Sequence, residues 1–251
     1  FLQIAIDPTT ANHGVQPNGA FVVQADNTVI CSGGINGNLQ KVQQHWDPLY
    51  GSPPNNLLTG AHPSADGSLH DCVQDIGGEV RNLHYMWNYA AGIAHPNPEY
   101  PQHGLSLIPP RSALWMDCYG RRIGPKPMVT GFDTHDLCKT TGHITQQYTW
   151  QIMNKRIADK ELAISGSDSN PHFRDKKMLK VIWQALRGNA QQTQWLIDHC
   201  PDVVSANTLE QLAIQMQGIA PEIPLDTVGM HADIARYDAM LKGPHAFRND
   251  D

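Results

Sequence analysis

Much of what would announce a chemistry at first sight is missing from this 251-residue sequence. It has no lysine/arginine block and a formal net charge of -6, so nothing in it tracks a phosphate backbone and nucleic acid is not an expected partner. Its apolar runs fall far short of the ~18 residues a membrane span needs, and no membrane partner is expected either. The five cysteines, Cys31, Cys72, Cys118, Cys138 and Cys200, are odd in number and scattered without a C-x-x-C, which reads as reduced thiols in a cytoplasmic protein. There is no H-E-x-x-H, no G-x-S-x-G elbow and no G-x-G-x-x-G fingerprint, so zinc protease, serine hydrolase and a self-contained dinucleotide site all lack their signatures. The opening "FLQIAIDPTT" has neither a basic region nor a cleavage site, so no signal peptide is read there. It also lacks an initiator Met, and residue 1 is not expected to be the natural start.

What is present is an ordinary globular balance, 40% apolar and 17% charged residues, long enough for one large domain or two small ones. In "NTVICSGGINGN" the β-prone residues Thr28 to Cys31 run into a Gly33-Gly34 turn. Residues 1–38 read as β-rich, with two strands or one bent hairpin around Ala25-Asp26-Asn27. Residues 39–65 are rich in Pro, Gly and Asn and read mostly as loop. A short helix follows, with Asp66 as its cap, Leu69, Cys72, Val73 and Ile76 on one face, and Gly77-Gly78 as its stop. Short strands and loops occupy 79–132, with a tight turn at Tyr119-Gly120 after Trp115. A helix around 134–146, a strand "YTWQIM" and a charged helix "NKRIADKELAI" come next. Helices then run to the C-terminal side. Their expected inward stripes are Leu179, Ile182, Trp183 and Leu186, then Leu209, Leu212, Ala213 and Met216, then Met230, Ile234, Tyr237 and Leu241. The fold class is α+β, and residues 246–251 read as a frayed tail.

Seven segments in order resemble the FAD-dependent dehydrogenases of the fumarate reductase/3-ketosteroid dehydrogenase superfamily, the bacterial FAD-binding dehydrogenase branch above all. They are "VICSGGINGN", "SADG", "MWNYAAGI", "SALWMDCYGRRI", "GFDT", "YTWQIMNKRIADKELAISGSDSNP" and "NTLEQLA", which together extend from about residue 20 to 242. The run from Tyr148 to Pro171 is the most specific. The resemblance implies a substrate-capping domain of a flavoprotein plus a remnant of the FAD-binding α/β domain. It places the remnant at residues 1–80 and the capping domain at 81–245, and leaves the N-terminal glycine fingerprint and the C-terminal flavin segment outside this chain.

The same resemblance assigns candidate roles. Cys31, Ser32, Gly33 and Gly34 would let backbone approach FAD closely, which only small residues permit, with Asn38 steadying the turn and Asp66 close to the flavin. Trp87, Asn88 and Tyr89 would receive a flat, apolar substrate. His135 would exchange a proton with it near neutral pH, Tyr148 would donate its phenol to a carbonyl, and His143 is a secondary candidate for substrate contact. Each has a plainer reading alongside: a strand-ending turn, a helix cap, an aromatic core cluster, a solvent-facing histidine, a buried structural tyrosine. Arg121 and Arg122 read as a turn-anchoring salt bridge, and "DKELAISGSD" as a solvated face.

The expected function is therefore part of an FAD-dependent oxidoreductase acting on a carbon–carbon bond next to a carbonyl, with a ketosteroid-like or dicarboxylate-like substrate. FAD is expected to bind this chain weakly or not at all. The alternatives are a stand-alone ligand-binding or interaction domain and, with least support, a metal-dependent hydrolase using "HPSADGSLHD". No metal ligand set is expected, and self-association is left open.

Overall fold

The computed structural model describes residues 2–4, 21–23, 29–124, 134–144, 146 and 148–242. The chain divides after Gly33 into a small unit and a large one. The small unit, residues 1–33, contains the antiparallel pair β1 (Leu2–Ile4) and β2 (Phe21–Val23), with Gln3 opposite Val22. The hairpin turn expected at Ala25–Asn27 lies outside the described residues. The strand expected over Thr28–Cys31 is not found over its described residues 29–31; Val29 is 84% exposed, and no described strand pairs with it.

Residues 34–80 belong with the large unit, whereas the sequence drew a boundary after residue 80. The reason is pairing: Thr59 bridges to His103, its amide donates to Gln102 O, and Gly104 N donates back to Thr59 O. The loop expected over 39–65 also contains regular structure. Asn38 Oδ1 accepts the amides of Gln40 and Lys41 and so starts α1 (Leu39–Gln44), and Asp47 caps a 3-10 turn, Pro48–Tyr50. The Pro- and Gly-rich composition begins only at Pro48, and Asn38 followed by "LQKVQQ" is a sound helix start. α2 (Ser68–Asp75) is capped by Gly67 rather than Asp66, and its apolar stripe is not core, since none of its residues is buried.

Two small hydrophobic cores organise the rest. In the first, β3 (Gly92–Ala94), β4 (Gly104–Ile108) and β7 (Ala163–Ile164) form an antiparallel sheet, with Ile93 opposite Leu105 and Leu107 opposite Ile164. It packs Ile93 and Ile164 on Leu196 and Cys200, which α7 (Ala190–His199) and its C-cap supply. In the second, β5 (Leu114–Met116) pairs with β6 (Trp150–Ile152), Trp115 opposite Gln151. Leu114 and Met116 meet Ala213 and Met216 of α8 (Leu209–Ile219) and Met230 of α9 (Thr227–Lys242). α3 (Thr134–Gly142) packs on the 3-10 turn Pro48–Tyr50, α4 (Lys155–Glu161), started by the Asn154 side chain, packs on α7, and α5 (Pro171–Arg174) packs on α6 (Met178–Arg187). The stripes expected on α8 and α9 are inward at Ala213, Met216 and Met230, but that of α6 faces solvent.

The second core is closed by a polar clamp. After β5 the chain turns at Asp117–Arg121. The Asp117 carboxylate accepts the amides of Tyr119 and Arg121, and Gly120, at φ +80°, takes the left-handed conformation that side chains resist. The turn delivers Arg121 to α9, where its guanidinium meets Asp233 at 2.9 Å and Asp226 at 3.1 Å. A Cβ on Gly229 would lie 2.6 Å from Arg121 Nη1, so the helix surface there must be bare. Asp233 is nearly fully buried and also accepts Arg122 N at 3.0 Å and Arg236 Nη2 at 3.0 Å. Burial pushes its pKa up, but the bonds from Arg121 and the Arg122 amide outweigh that, and the net effect holds it below the usual carboxylate value.

Removing this carboxylate strands several donors. Asp233→Ala is expected to cost about 2–3 kcal/mol in urea unfolding, moderated because Arg121 remains half-exposed and water can replace its partner. Because the folded-state pKa is depressed, the contribution is complete above the ordinary carboxylate range and disappears as pH falls through the folded value below it. The variant should therefore lose less stability than the parent on acidification, and parallel pH–stability curves would contradict the assignment.

Candidate functional site

A cleft of about 1500 Å³ runs through the large unit where the two cores meet. Val203 packs on the first core and Val204 on the second, and both border the cleft. One wall comes from the segment before β3 and from β4, the other from β6 and α8. This placement follows from the fold: two short sheets, each packed on its own helices, meet along a groove that both apolar and polar side chains line.

The groove collects planar rings and unsatisfied polar atoms. Trp87 and Tyr89 stand parallel, with centroids 6.0 Å apart and an interplanar angle of 9°. Trp87 is 72% exposed, so the pair is not the aromatic core cluster that composition also allowed. Between them Asn88 has a buried Nδ2 with no hydrogen-bond partner. Across the cleft, Tyr148 meets Trp150 edge to face at 5.8 Å. Trp150 Nε1 and Gln151 Oε1 are likewise buried without partners. A buried donor or acceptor without a partner costs free energy, and a ligand atom that completes the bond recovers it. Asn88, Trp150 and Gln151 all border the cleft, so two donors and an acceptor without partners lie buried in its walls, beneath a lining of aromatic, aliphatic and polar side chains.

Tyr148 lies two residues before β6 and lines the cleft. Its hydroxyl reaches Cys118 O at 3.5 Å, a long bond that a better acceptor would displace. Burial, followed by the neighbouring Cys118, pushes the phenol up to about 12, so at neutral pH it is a donor and not a base.

A second aromatic group was not read from the sequence. His95 and His103 stack with centroids 4.2 Å apart and an interplanar angle of 9°, and Tyr100 stacks on His103 at 4.2 Å. All three border the cleft. Each imidazole accepts a backbone amide at Nδ1, from Asn97 to His95 at 3.0 Å and from Glu99 to His103 at 3.2 Å, so the neutral rings carry their proton on Nε2. Burial, then the adjacent His95, lowers the His103 pKa against an opposing pull from Glu99. The only sequence signal was the spacing of histidines in the proline-rich "HPNPEYPQH".

The other expected residues fall elsewhere. His135 and His143 do not line the cleft. His135 is exposed, with Nδ1 2.9 Å from the Tyr50 hydroxyl, and His143 donates from Nδ1 to Lys139 O at 2.7 Å, closing the end of α3. Cys31, Ser32, Gly33 and Gly34 are exposed, Gly33 at φ +85°, and a Cβ on Gly34 would meet nothing within 4 Å. Asn38 spends its side-chain oxygen on α1. Asp66 Oδ1 accepts Ser68 N at 2.8 Å; that amide and the Ser68 hydroxyl hold its carboxyl below the usual value. Among the described residues no three His, Cys, Asp or Glu side chains are grouped to hold a metal, and no helix is long and apolar enough to cross a membrane.

Comparison with known proteins places these observations. The chain is 32% identical over 237 residues to a protein of Mycolicibacterium smegmatis named KsdD-like steroid dehydrogenase, covering 93% of this chain and 43% of that protein. A KsdD-like steroid dehydrogenase of Mycobacterium tuberculosis is 32% identical over 238 residues, covering 94% of this chain and 42% of its own length. Nearly all of this chain is thus similar to proteins named as steroid dehydrogenases, while spanning less than half the length of those relatives. No family model and no solved structure matches.

The half-buried phenol of Tyr148 gives a direct check. Alkaline titration of tyrosinate absorbance should contain a component at about 12 that Tyr148→Phe removes, leaving the earlier components in place. Loss of an earlier component instead would put the phenol in water.

Proposed function

We propose that this chain supplies the substrate-holding part of an oxidoreductase acting on a carbon–carbon bond next to a carbonyl, and that the substrate is a flat, mostly apolar ketone of steroid shape. The observation that carries the proposal is the gathering of the Trp87, Tyr89, Tyr148 and Trp150 rings at one cleft, with unpartnered donors of Asn88 and Trp150 buried in its walls. A fused-ring skeleton would lie against the Trp87–Tyr89 face, where dispersion and apolar burial favour a rigid plane. Its carbonyl oxygen would take a hydrogen bond from the Asn88 amide or the Tyr148 hydroxyl. Either donor draws electron density from the carbonyl and acidifies the neighbouring C–H, the demand that removing hydrogen next to a ketone places on its site. A dicarboxylate fits less well, since the one Lys or Arg that borders the cleft, Lys155, is already paired with Asp159, and the unpartnered groups of Asn88, Trp150 and Gln151 are neutral. Tyr148, which borders the cleft as His135 does not, is the group we assign to polarising the carbonyl.

FAD is the redox group that the resemblance implies, and when bound it would take or give the hydride. Among the described residues of the large unit, the expected cofactor contacts do not fit it. Gly34, Asn38 and Asp66 do not border the cleft, and the Asn38 and Asp66 oxygens already hold backbone amides. No glycine fingerprint offers its amides to a pyrophosphate. The hydride acceptor is therefore assigned to no residue of this chain. Without it, the same cleft acts as a ligand-binding module, the second reading.

Tryptophan fluorescence distinguishes these ideas. A 3-ketosteroid should quench emission saturably, and Asn88→Leu should weaken it about tenfold while leaving binding of the deoxygenated skeleton unchanged. Equal affinity of both proteins for the ketone would remove Asn88 from the site, and absence of steroid binding would overturn the reading. FAD added to the purified chain is expected to stay in the dialysate; a stoichiometric flavin spectrum would show that a cradle exists here after all.

A further inference from the structure

Helix α6 carries a face that the cleft does not use. Met178, Leu179, Ile182, Trp183 and Leu186 follow one another at helical spacing on a single side, and all are more than half exposed, Leu179 at 85% and Leu186 at 78%. Amphipathic helices in water-soluble domains ordinarily turn such a stripe inward, and those of α8 and α9 do so at Met216 and Met230. Here the stripe is outward while Val181 is the half-buried side. Phe173 on the neighbouring α5 is 66% exposed and extends the patch.

The surroundings of the stripe are basic in an acidic protein. Between residues 168 and 187 lie five cations, Arg174, Lys176, Lys177, Lys180 and Arg187, against two carboxylates, Asp168 and Asp175, a local balance of +3 in a chain of net -6. Lys180 and Arg187 fall at the edge of the apolar face, and the Arg187 guanidinium lies 4.8 Å from the centre of the Trp183 ring. At physiological salt, charges beyond about 8 Å are largely screened, so an approaching surface senses the local excess rather than the total.

We propose that α6 is an interfacial helix that lays its apolar face into a bilayer containing anionic phospholipid. Leu, Ile and Phe side chains with a Trp and flanking cations are the composition that settles at the boundary between headgroups and acyl chains. Each basic residue near an anionic leaflet adds attraction, which the apolar face alone lacks. A second copy of the chain is disfavoured as the occupant, because joining two such faces brings two positive borders together. For a chain whose cleft suits an apolar molecule, docking on lipid also brings that cleft to where such molecules dissolve.

Co-sedimentation with unilamellar vesicles tests this on the whole chain. Binding is expected to an about 3:1 mixture of phosphatidylcholine and phosphatidylglycerol, at least about tenfold weaker to phosphatidylcholine alone, and weakened by salt. Lys176→Gln with Lys180→Gln should weaken it about 25-fold, roughly fivefold per cation. Leu179→Glu with Leu186→Glu should abolish it while leaving the circular dichroism melt unchanged, both positions being solvent-exposed. No binding to the anionic vesicles, or binding that survives the double Glu variant, overturns the proposal. So does a dimer in sedimentation equilibrium that the double Glu variant dissolves without any lipid binding, since the face would then be a contact between copies.

Discussion

The buried carboxylate of Asp233 holds the second core together. It faces inward from α9, and burying an anion is tolerable only where donors converge on it. Here they come from three places: the Arg121 side chain, the Arg122 backbone and Arg236 of the same helix. Two of the three sit on the turn that follows β5, so the carboxylate fixes where β5 ends and how it lies on α9. Because β6 pairs with β5 in register, the clamp also sets the position of Trp150 and Gln151, and through them the second wall of the cleft.

The first wall depends on less costly contacts. Ala94 N donates to Asp202 at 2.6 Å and the Cys200 thiol reaches Ala94 O at 3.3 Å, tying the end of β3 to the end of α7. The histidine stack closes the loop between β3 and β4, with both rings pinned by backbone amides. The two walls therefore have different characters. One is anchored by a buried carboxylate among guanidinium groups, the other by a backbone amide on the exposed Asp202 carboxylate, a thiol contact and a proline-rich loop.

How much of this was legible in the sequence depended on whether a residue's partner is local. The Tyr119-Gly120 turn, the charged helix opening at Asn154, and the inward positions Met216 and Met230 were readable, because turns, caps and periodicity act within a few residues. The salt bridge of Arg121 was readable as a kind of interaction, but not its partners, which lie 105 and 112 residues away. Periodicity misled at α2 and α6, where a regular apolar stripe does not say whether anything covers it. α1 was missed because a loop-like composition was averaged across it. Of the candidate site, Trp87, Asn88, Tyr89 and Tyr148 come to one cleft, while His135 meets the distant Tyr50 hydroxyl and His143 closes the end of its own helix. A histidine beside a helix start looks the same in sequence whether it faces a groove or a tyrosine.

The adjacency of Val203 and Val204 has a mechanical meaning. Neighbouring side chains on a non-helical stretch leave the backbone on opposite sides, and here each is seated in a different core. Neither valine can shift without its neighbour, so this one peptide link rivets the two cores at the cleft, beside the longer crossings from β4 to β5 and from β6 to β7.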